Sequence, residues 1–413
     1  GYGTFMAHLK VSSEPNRYPF IAERNRPEFQ DKGAKELRWK TVELQPGDAL
    51  EIAPLPLTVR QPETWPFGAL RYIKLVPSTP APALRAAHAE KPLALYFEPY
   101  SWAFVYHLHD RWRVREALAL FREMGGQQVH TQVLRFGSKT MHYSRVVERH
   151  DSGALMGDDG TFSPGPAQCV RALDVLRESI DISRELGMTH YANAALSNCY
   201  PGTDFEERIS REHPEWRTHG VLRYHRPETI DYAAAVIREF VAWGTDGVSI
   251  DCLRYPYHHT EEELLAFFHA IAVPLRERQV PLTARIPAGD TRYFRVFDRL
   301  VRDGLVQCIV PSTLFMREPQ FSLKPYRQWQ DRGCRVFGII DGWLSHIGSF
   351  GHYQFSLYRN PTDIRADITR FFREGADGIF VYQADLHCAD PFTREVLDWR
   401  RWLTVEQEKE ALR

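Results

Sequence analysis

From Leu93 onward the sequence alternates short apolar runs with longer amphipathic segments, and this alternation limits the possible fold more than any other feature. The apolar runs are 93–98, 127–136, 188–196, 246–251, 281–287, 306–312, 335–341 and 377–383. The segments with helical spacing are 111–124, 166–186, 228–243, 261–278, 292–303, 325–332, 361–374 and 391–402. Strand and helix in strict alternation imply a parallel sheet covered by crossover helices. Eight such units predict a closed (β/α)8 TIM barrel over 93–405 rather than an open doubly wound sheet. Six helical segments end on glycine (125, 187, 244, 304, 333 and 375), the residue that tolerates a left-handed helix C-cap. No strand opens a G-x-G-x-x-G or phosphate-binding loop.

The first 76 residues have a different texture, rich in Pro and in short alternating runs. Strands are expected at 4–11, 36–44, 48–53 and 69–76, parted by turn signals such as Gln45-Pro46-Gly47-Asp48. This predicts a small all-β, sandwich-like module over 1–76, with residues 77–92 as an extended Pro/Ala linker to the barrel. The repeated pattern in Gly244-Thr-Asp-Gly-Val248 and Gly375-Ala-Asp-Gly-Ile379 is either an internal repeat or two solutions to the same helix-to-strand turn.

Charge and composition then remove several function classes. Lys+Arg (52) and Asp+Glu (53) balance to a net charge of -1, so no global field draws in nucleic acid or an anionic membrane. No run approaches the ~20 apolar residues that span a bilayer. The six cysteines are scattered, with no C-x-x-C pair and no metal-ligand spacing, and read as reduced and buried. No signal peptide is visible. The chain begins at Gly1, so a removed leader stays open, and a periplasmic or secreted location is expected over a cytoplasmic one. Aromatics are abundant (10 Trp, 18 Tyr, 24 Phe); they fill cores but also stack on the apolar faces of sugar rings.

In a barrel, chemistry sits at the C-terminal strand ends. There the sequence offers Glu98 with Tyr100 and Trp102 after strand one, and Arg135 after strand two. Strand three brings Asn193 and Asn198, and strand four Asp251 with Arg254 and Tyr255. Strand five ends near Arg285 and Asp290, strand seven at Asp341 with Trp343, and strand eight at Asp385. Carboxylates at several strand ends, with cations, amides and aromatics, suit glycoside hydrolysis, which needs two carboxyl groups across the scissile bond and an aromatic platform. Asp251 closes a very apolar strand and is the first catalytic candidate; Asp341 and Glu98 are the candidate partners. Tyr100, Trp102, Tyr255 and Trp343 are candidate sugar platforms. Arg135, Asn193, Asn198, Arg254 and Asp385 are candidate substrate ligands. An Asp251–Arg254 ion pair that only pins the loop is the alternative for that motif.

Other barrel chemistries fit less well. His107-Leu-His109 with Asp385 suggests a metal-dependent hydrolase, but strands five and six supply no histidine. A Schiff-base enzyme needs a lysine inside the barrel, and the strands contain none. No metal or cofactor is expected.

The stretch 212–257 carries His213-Pro214-Glu215-Trp216, then Arg226-Pro227-Glu228 with Tyr232, then Asp246-Gly247-Val248, Asp251 and Arg254-Tyr255-Pro256. In order and spacing it resembles the bacterial glycosyl-hydrolase-like (β/α)8 barrel family, the family-10-like proteins related to hydrolases of peptidoglycan glycan strands and of poly-N-acetylglucosamine. The resemblance is motif-specific over this stretch, and Gly375–Ile379 on strand eight also looks like these proteins. It implies a carbohydrate substrate and a catalytic carboxylate at the end of strand four, which falls on Asp251. Several relatives have two adjacent acids there, whereas this chain has Asp251-Cys252, so the partner carboxylate has to come from another strand. The expected activity is glycoside hydrolysis; the alternatives are a non-catalytic carbohydrate-binding barrel and a metal-dependent barrel hydrolase.

Overall fold

The computed structural model describes residues 5–22, 38–54, 72–77, 91–105, 108–156, 162–253, 256–313, 320–341, 361–384, 388 and 390–402. Eight parallel strands close into a barrel: Leu93–Phe97, Gln128–Arg135, Thr189–Ala195, Gly247–Asp251, Leu282–Pro287, Cys308–Ser312, Arg335–Asp341 and Gly378–Tyr382, the last pairing with the first. Each falls inside its expected run. The strands are buried almost throughout because helices cover the outer face and side chains fill the axis. Phe267, Phe268 and Phe297 illustrate the outer packing, meeting edge-to-face at 5.2 and 5.0 Å between ring centres.

The helices also follow the sequence, with local breaks. The segment expected as one helix over 166–186 is two, Gly165–Ala172 and Val175–Glu185, because Asp174 is extended and caps the second by accepting from the N–H of Arg177. Asp398 similarly parts Pro391–Leu397 from Trp399–Trp402. The weak segment at 325–332 shrinks to a 3-10 turn and Arg327–Gln330. All six expected cap glycines have positive φ; at Gly244 (φ 86°) the left-handed residue ends Pro227–Trp243 and turns the chain into strand four.

The two Asp-Gly turns solve one problem in one way. Asp246 Oδ2 accepts from the N–H of His190 at 2.8 Å, and its own N–H donates to the His190 carbonyl at 2.9 Å. Asp377 does the same to Val336, both at 2.8 Å. Each aspartate thus clips the start of its strand to the preceding strand. The glycine that follows lies where a side chain would collide: a Cβ on Gly247 would sit 2.2 Å from the Tyr191 ring, and one on Gly378 2.7 Å from the Pro92 carbonyl. The motif is structural. Replacing Asp377 with Ala strands two polar contacts, with Val336 and with Gln330 (2.7 Å); it is expected to lower stability by about 1–3 kcal/mol in urea denaturation. A loss under about 0.5 kcal/mol would contradict the clip.

The front region differs from its expected form. Its sheet has three antiparallel strands, with Phe5–Val11 between Tyr18–Ala22 and Leu50–Pro54. Residues 38–44 and 72–76, expected as strand, are not strand, and among the described residues no second sheet completes a sandwich. Tyr18–Ala22 carries little strand signal in the sequence because it is short and holds Pro19, which an edge strand tolerates. This sheet seats on the barrel: Lys40 pairs with Glu14 (2.7 Å) and Glu123 (3.5 Å) and lies over the Tyr18 ring, and Arg394 donates to the Trp39 carbonyl at 2.9 Å. Most of the expected 77–92 linker is outside the described residues. All six cysteines are buried and none is in a disulfide. No helix among the described residues is long and apolar enough to cross a membrane.

Candidate functional site

Strand alternation decides which side chains reach the barrel axis. Asp251 and Arg285 share a register position on adjacent strands, so both point inward, and Asp341 shares one with Tyr382. The C-terminal mouth is built from these residues and from Glu98, which directly follows strand one.

Two buried carboxylates are each held by an arginine. Asp251, 1% exposed, takes the Arg285 guanidinium on Oδ2 at 2.7 Å and the N–H of Leu253 on Oδ1 at 2.8 Å. Glu98, 2% exposed, takes Arg135 on Oε1 and the Gln383 side-chain amide on Oε2, the latter at 2.7 Å. The two pairs join through aromatic rings. The Arg285 guanidinium lies 3.7 Å from the centre of the Tyr382 ring, and Tyr382 packs on Tyr96 with centres 4.8 Å apart. Glu98 is two residues beyond Tyr96, on the same face. Arg135 lies over Tyr100 (4.8 Å) and within 5.8 Å of the Tyr200 and Phe205 ring centres.

Electrostatics follow from burial and these neighbours. Burial alone would pull the Arg285 guanidinium down, but Asp251, Tyr382 and Tyr96 outweigh it and hold it above its ordinary value. Burial pushes the Tyr96 hydroxyl well above 10, and Tyr382, Glu98 and Asp251 add to the rise. Tyr96 is therefore a neutral phenol that senses both carboxylates, and its hydroxyl has no partner among the described residues. Gln383 (φ 51°) and Tyr200 (φ 48°) are non-glycine residues in the left-handed region, one bonded to Glu98 and one beside Arg135. Such strain persists only where surrounding structure holds it, and it clusters at working sites.

The remaining candidates divide sharply. Asp341 stands at the rim and is 7% exposed, the most of the three acids. Asn193 lies one layer below Asp251, donating to Ser249 Oγ at 2.7 Å. Asn198 is buried in the loop after strand three, its N–H bonded to the Phe136 carbonyl at 3.1 Å. Tyr100 and Trp102, expected as sugar platforms, are instead 2% and 4% exposed. They belong to a short helix, Pro99–Val105, that turns them into the core, and the Tyr100 hydroxyl donates to the Val133 and Lys139 carbonyls. Asp290, offered by strand five, is the N-cap of Thr291–Arg302. Arg254, Tyr255, Trp343 and Asp385 lie outside the described residues. The cation found on Asp251 is Arg285, a strand neighbour rather than a sequence neighbour; Gln383 was missed because nothing in its local sequence marks it. His213-Pro214-Glu215-Trp216 forms a surface turn with the His213 ring stacked on Trp216 at 3.8 Å. Among the described residues no group of three or more His, Cys, Asp or Glu side chains is arranged to hold a metal ion.

No family model matches the chain, and no curated protein does. Solved structures do. The chain is similar to alpha-L-fucosidase isoenzyme 2 from Paenibacillus thiaminolyticus at 14% identity, over 78% of this chain and 50% of that one, with a TM-score of 0.48. It is similar to a GH138 enzyme targeting pectin rhamnogalacturonan II at 11% identity, over 79% and 40%, with a TM-score of 0.46. It is similar to the glycoside hydrolase domain of PelA from Pseudomonas aeruginosa at 12% identity, over 71% and 96%, with a TM-score of 0.41. The chain thus spans half or less of the length of the first two.

Proposed function

We propose that this chain is a glycoside hydrolase of the glycosyl-hydrolase-like barrel group that its 212–257 stretch resembles, cleaving a glycosidic bond in a poly- or oligosaccharide. The observation that carries the reading is the pair of arginine-held carboxylates, Glu98 and Asp251, joined through Tyr96 and Tyr382 at one barrel mouth. Residues 93–405 form the catalytic barrel in this reading, and residues 1–76 an ancillary module.

Glycosidic cleavage needs one carboxyl group carrying a proton for the leaving oxygen and one carboxylate to attack or to activate water. An ion-paired carboxylate suits the second role. Asp251, oriented by Arg285 and by the Leu253 N–H, is assigned as nucleophile or base. Asp341, nearest solvent of the three acids, is assigned as the general acid, which has to recover its proton at each turnover. Glu98, Arg135 and Asn198 then hold substrate hydroxyl or acidic groups, with Asn193 one layer beneath.

The test uses leaving groups. Asp251→Asn is expected to lose ~10²–10⁴-fold in turnover on every substrate, whereas Asp341→Asn loses that much only where the leaving group needs a proton. A dinitrophenyl glycoside of the same sugar departs without one and is expected to restore most of the Asp341→Asn rate. Wild-type turnover by Asp341→Asn on the natural bond would remove Asp341 from the role. A second reading, a barrel that binds carbohydrate without cleaving it, is favoured by the same ion pairs, since each occupies a carboxylate. It predicts glycan binding by the wild-type protein with no new reducing ends.

A further inference from the structure

One surface feature is left unused by the barrel mouth. A cleft of about 370 Å³ lies between the front sheet and the helix Arg111–Glu123, and Lys10, Asn16, Arg17, Trp112 and Arg115 line it. Trp112 is 65% exposed and is the most exposed tryptophan among the described residues. The acids of the cleft are already engaged: Asp110 caps the helix through the Arg113 N–H at 3.0 Å, and Glu116 pairs with His8 at 3.1 Å and Arg113 at 3.0 Å. Arg115 is held by Asn16 at 2.9 Å and Glu185 at 2.6 Å. Lys10 and Arg17 are different. The side chain of neither makes an ion pair or hydrogen bond among the described residues, although Lys10 stands in register opposite Glu51 of the next strand.

We infer that this cleft is a second carbohydrate site that takes an acidic stretch of glycan, bearing carboxylate or sulfate groups. The indole offers an open face for the apolar side of a sugar ring, and Lys10 and Arg17 offer cationic groups that are not tied up in an ion pair to its acidic substituents. Its position fits this use. A barrel helix starts at the end where its strand finishes, so the first turn of Arg111–Glu123 lies on the same end of the barrel as Glu98. A chain held at Trp112 stays near the mouth. The inference rests on the reading of the barrel as acting on glycans, but its test reads binding and not turnover.

Calorimetry on the full chain uses polygalacturonate oligosaccharides, heparin oligosaccharides and neutral cello-oligosaccharides of equal length. At least one acidic series is expected to bind at least about tenfold tighter than the neutral one. Raising salt from ~0.05 M to ~0.5 M is expected to weaken that binding. Trp112→Ala and Arg17→Glu are each expected to weaken it about tenfold or more with unchanged urea midpoints. Trp112 and Arg17 line the cleft and not the barrel mouth, so loss of binding in these two variants would assign the ligand to the cleft even if the protein cleaves no glycan. The inference is overturned if neither acidic series binds, if the neutral series binds as well, or if both surface variants bind as wild type.

Discussion

Replacing Arg285 with Met is expected to destabilise the protein by about 3–5 kcal/mol, because it leaves the Asp251 carboxylate buried without its charge partner. The guanidinium also lies over the Tyr382 ring, and the same substitution removes that cation–π interaction. Asp251→Asn alone leaves the converse problem, a buried guanidinium whose Nε already lacks a partner among the described residues. The double variant, Asp251→Asn with Arg285→Met, removes both charges and is expected to be more stable than Arg285→Met alone. Urea denaturation of the four proteins gives the coupling directly. A single-variant loss under about 1 kcal/mol, or additive single losses, would contradict the account of a buried pair. If the double variant proves as stable as the wild type, packing alone does not require the pair, which accords with the proposal that Asp251 is held for chemistry.

Acid is expected to unfold the barrel through its histidines. Burial, the largest cause in each case, lowers His130 and His190 to about 3 and His150 and His259 to about 4, from 6.5. His130 is sealed between Tyr191, stacked at 4.4 Å, and Phe380; His190 is held by Thr245 and Thr131. Each folded value is below the unfolded one, so the native protein holds these rings neutral while the unfolded chain takes up protons below 6.5. The stability they contribute is whole above pH 6.5 and is lost as pH falls toward 3–4, by up to about 1.4 kcal/mol per pH unit per histidine. His130→Phe is expected to reduce the slope of stability against pH between 6 and 4 by about that amount. Equal slopes in wild type and variant would show that His130 does not titrate on unfolding.

Much of this was readable from sequence, for identifiable reasons. The barrel was legible because each strand is a buried run that needs no context, and because Gly244 and its counterparts mark where helices end. The acids at strand ends were legible for the same reason: once the barrel is drawn, strand position gives location. Their partners were not. Arg285 reaches Asp251 through barrel register, a relation 34 residues long that no local pattern carries, whereas Arg254 was nearer in sequence. The burial of Tyr100 and Trp102, expected as platforms, was not legible because a short helix, rather than an open loop, follows strand one. The Asp-Gly repeat was seen, but its use as a strand clip needed the hydrogen bonds of Asp246 and Asp377. In the front region, alternation at 38–44 and 72–76 suggests strand, but no neighbouring strand is present among the described residues to pair with them.

The central claim is that the carboxylates at this mouth cleave glycosidic bonds. The most direct measurement is to incubate the purified chain with a panel of neutral and acidic glycans and to count new reducing ends by mass spectrometry, beside Asp251→Asn with its fold checked by circular dichroism. The account predicts cleavage of at least one glycan by the wild-type protein and a ~10²–10⁴-fold loss in the variant. Cleavage by Asp251→Asn at the wild-type rate, or no cleavage of any glycan by the wild-type chain, would contradict it.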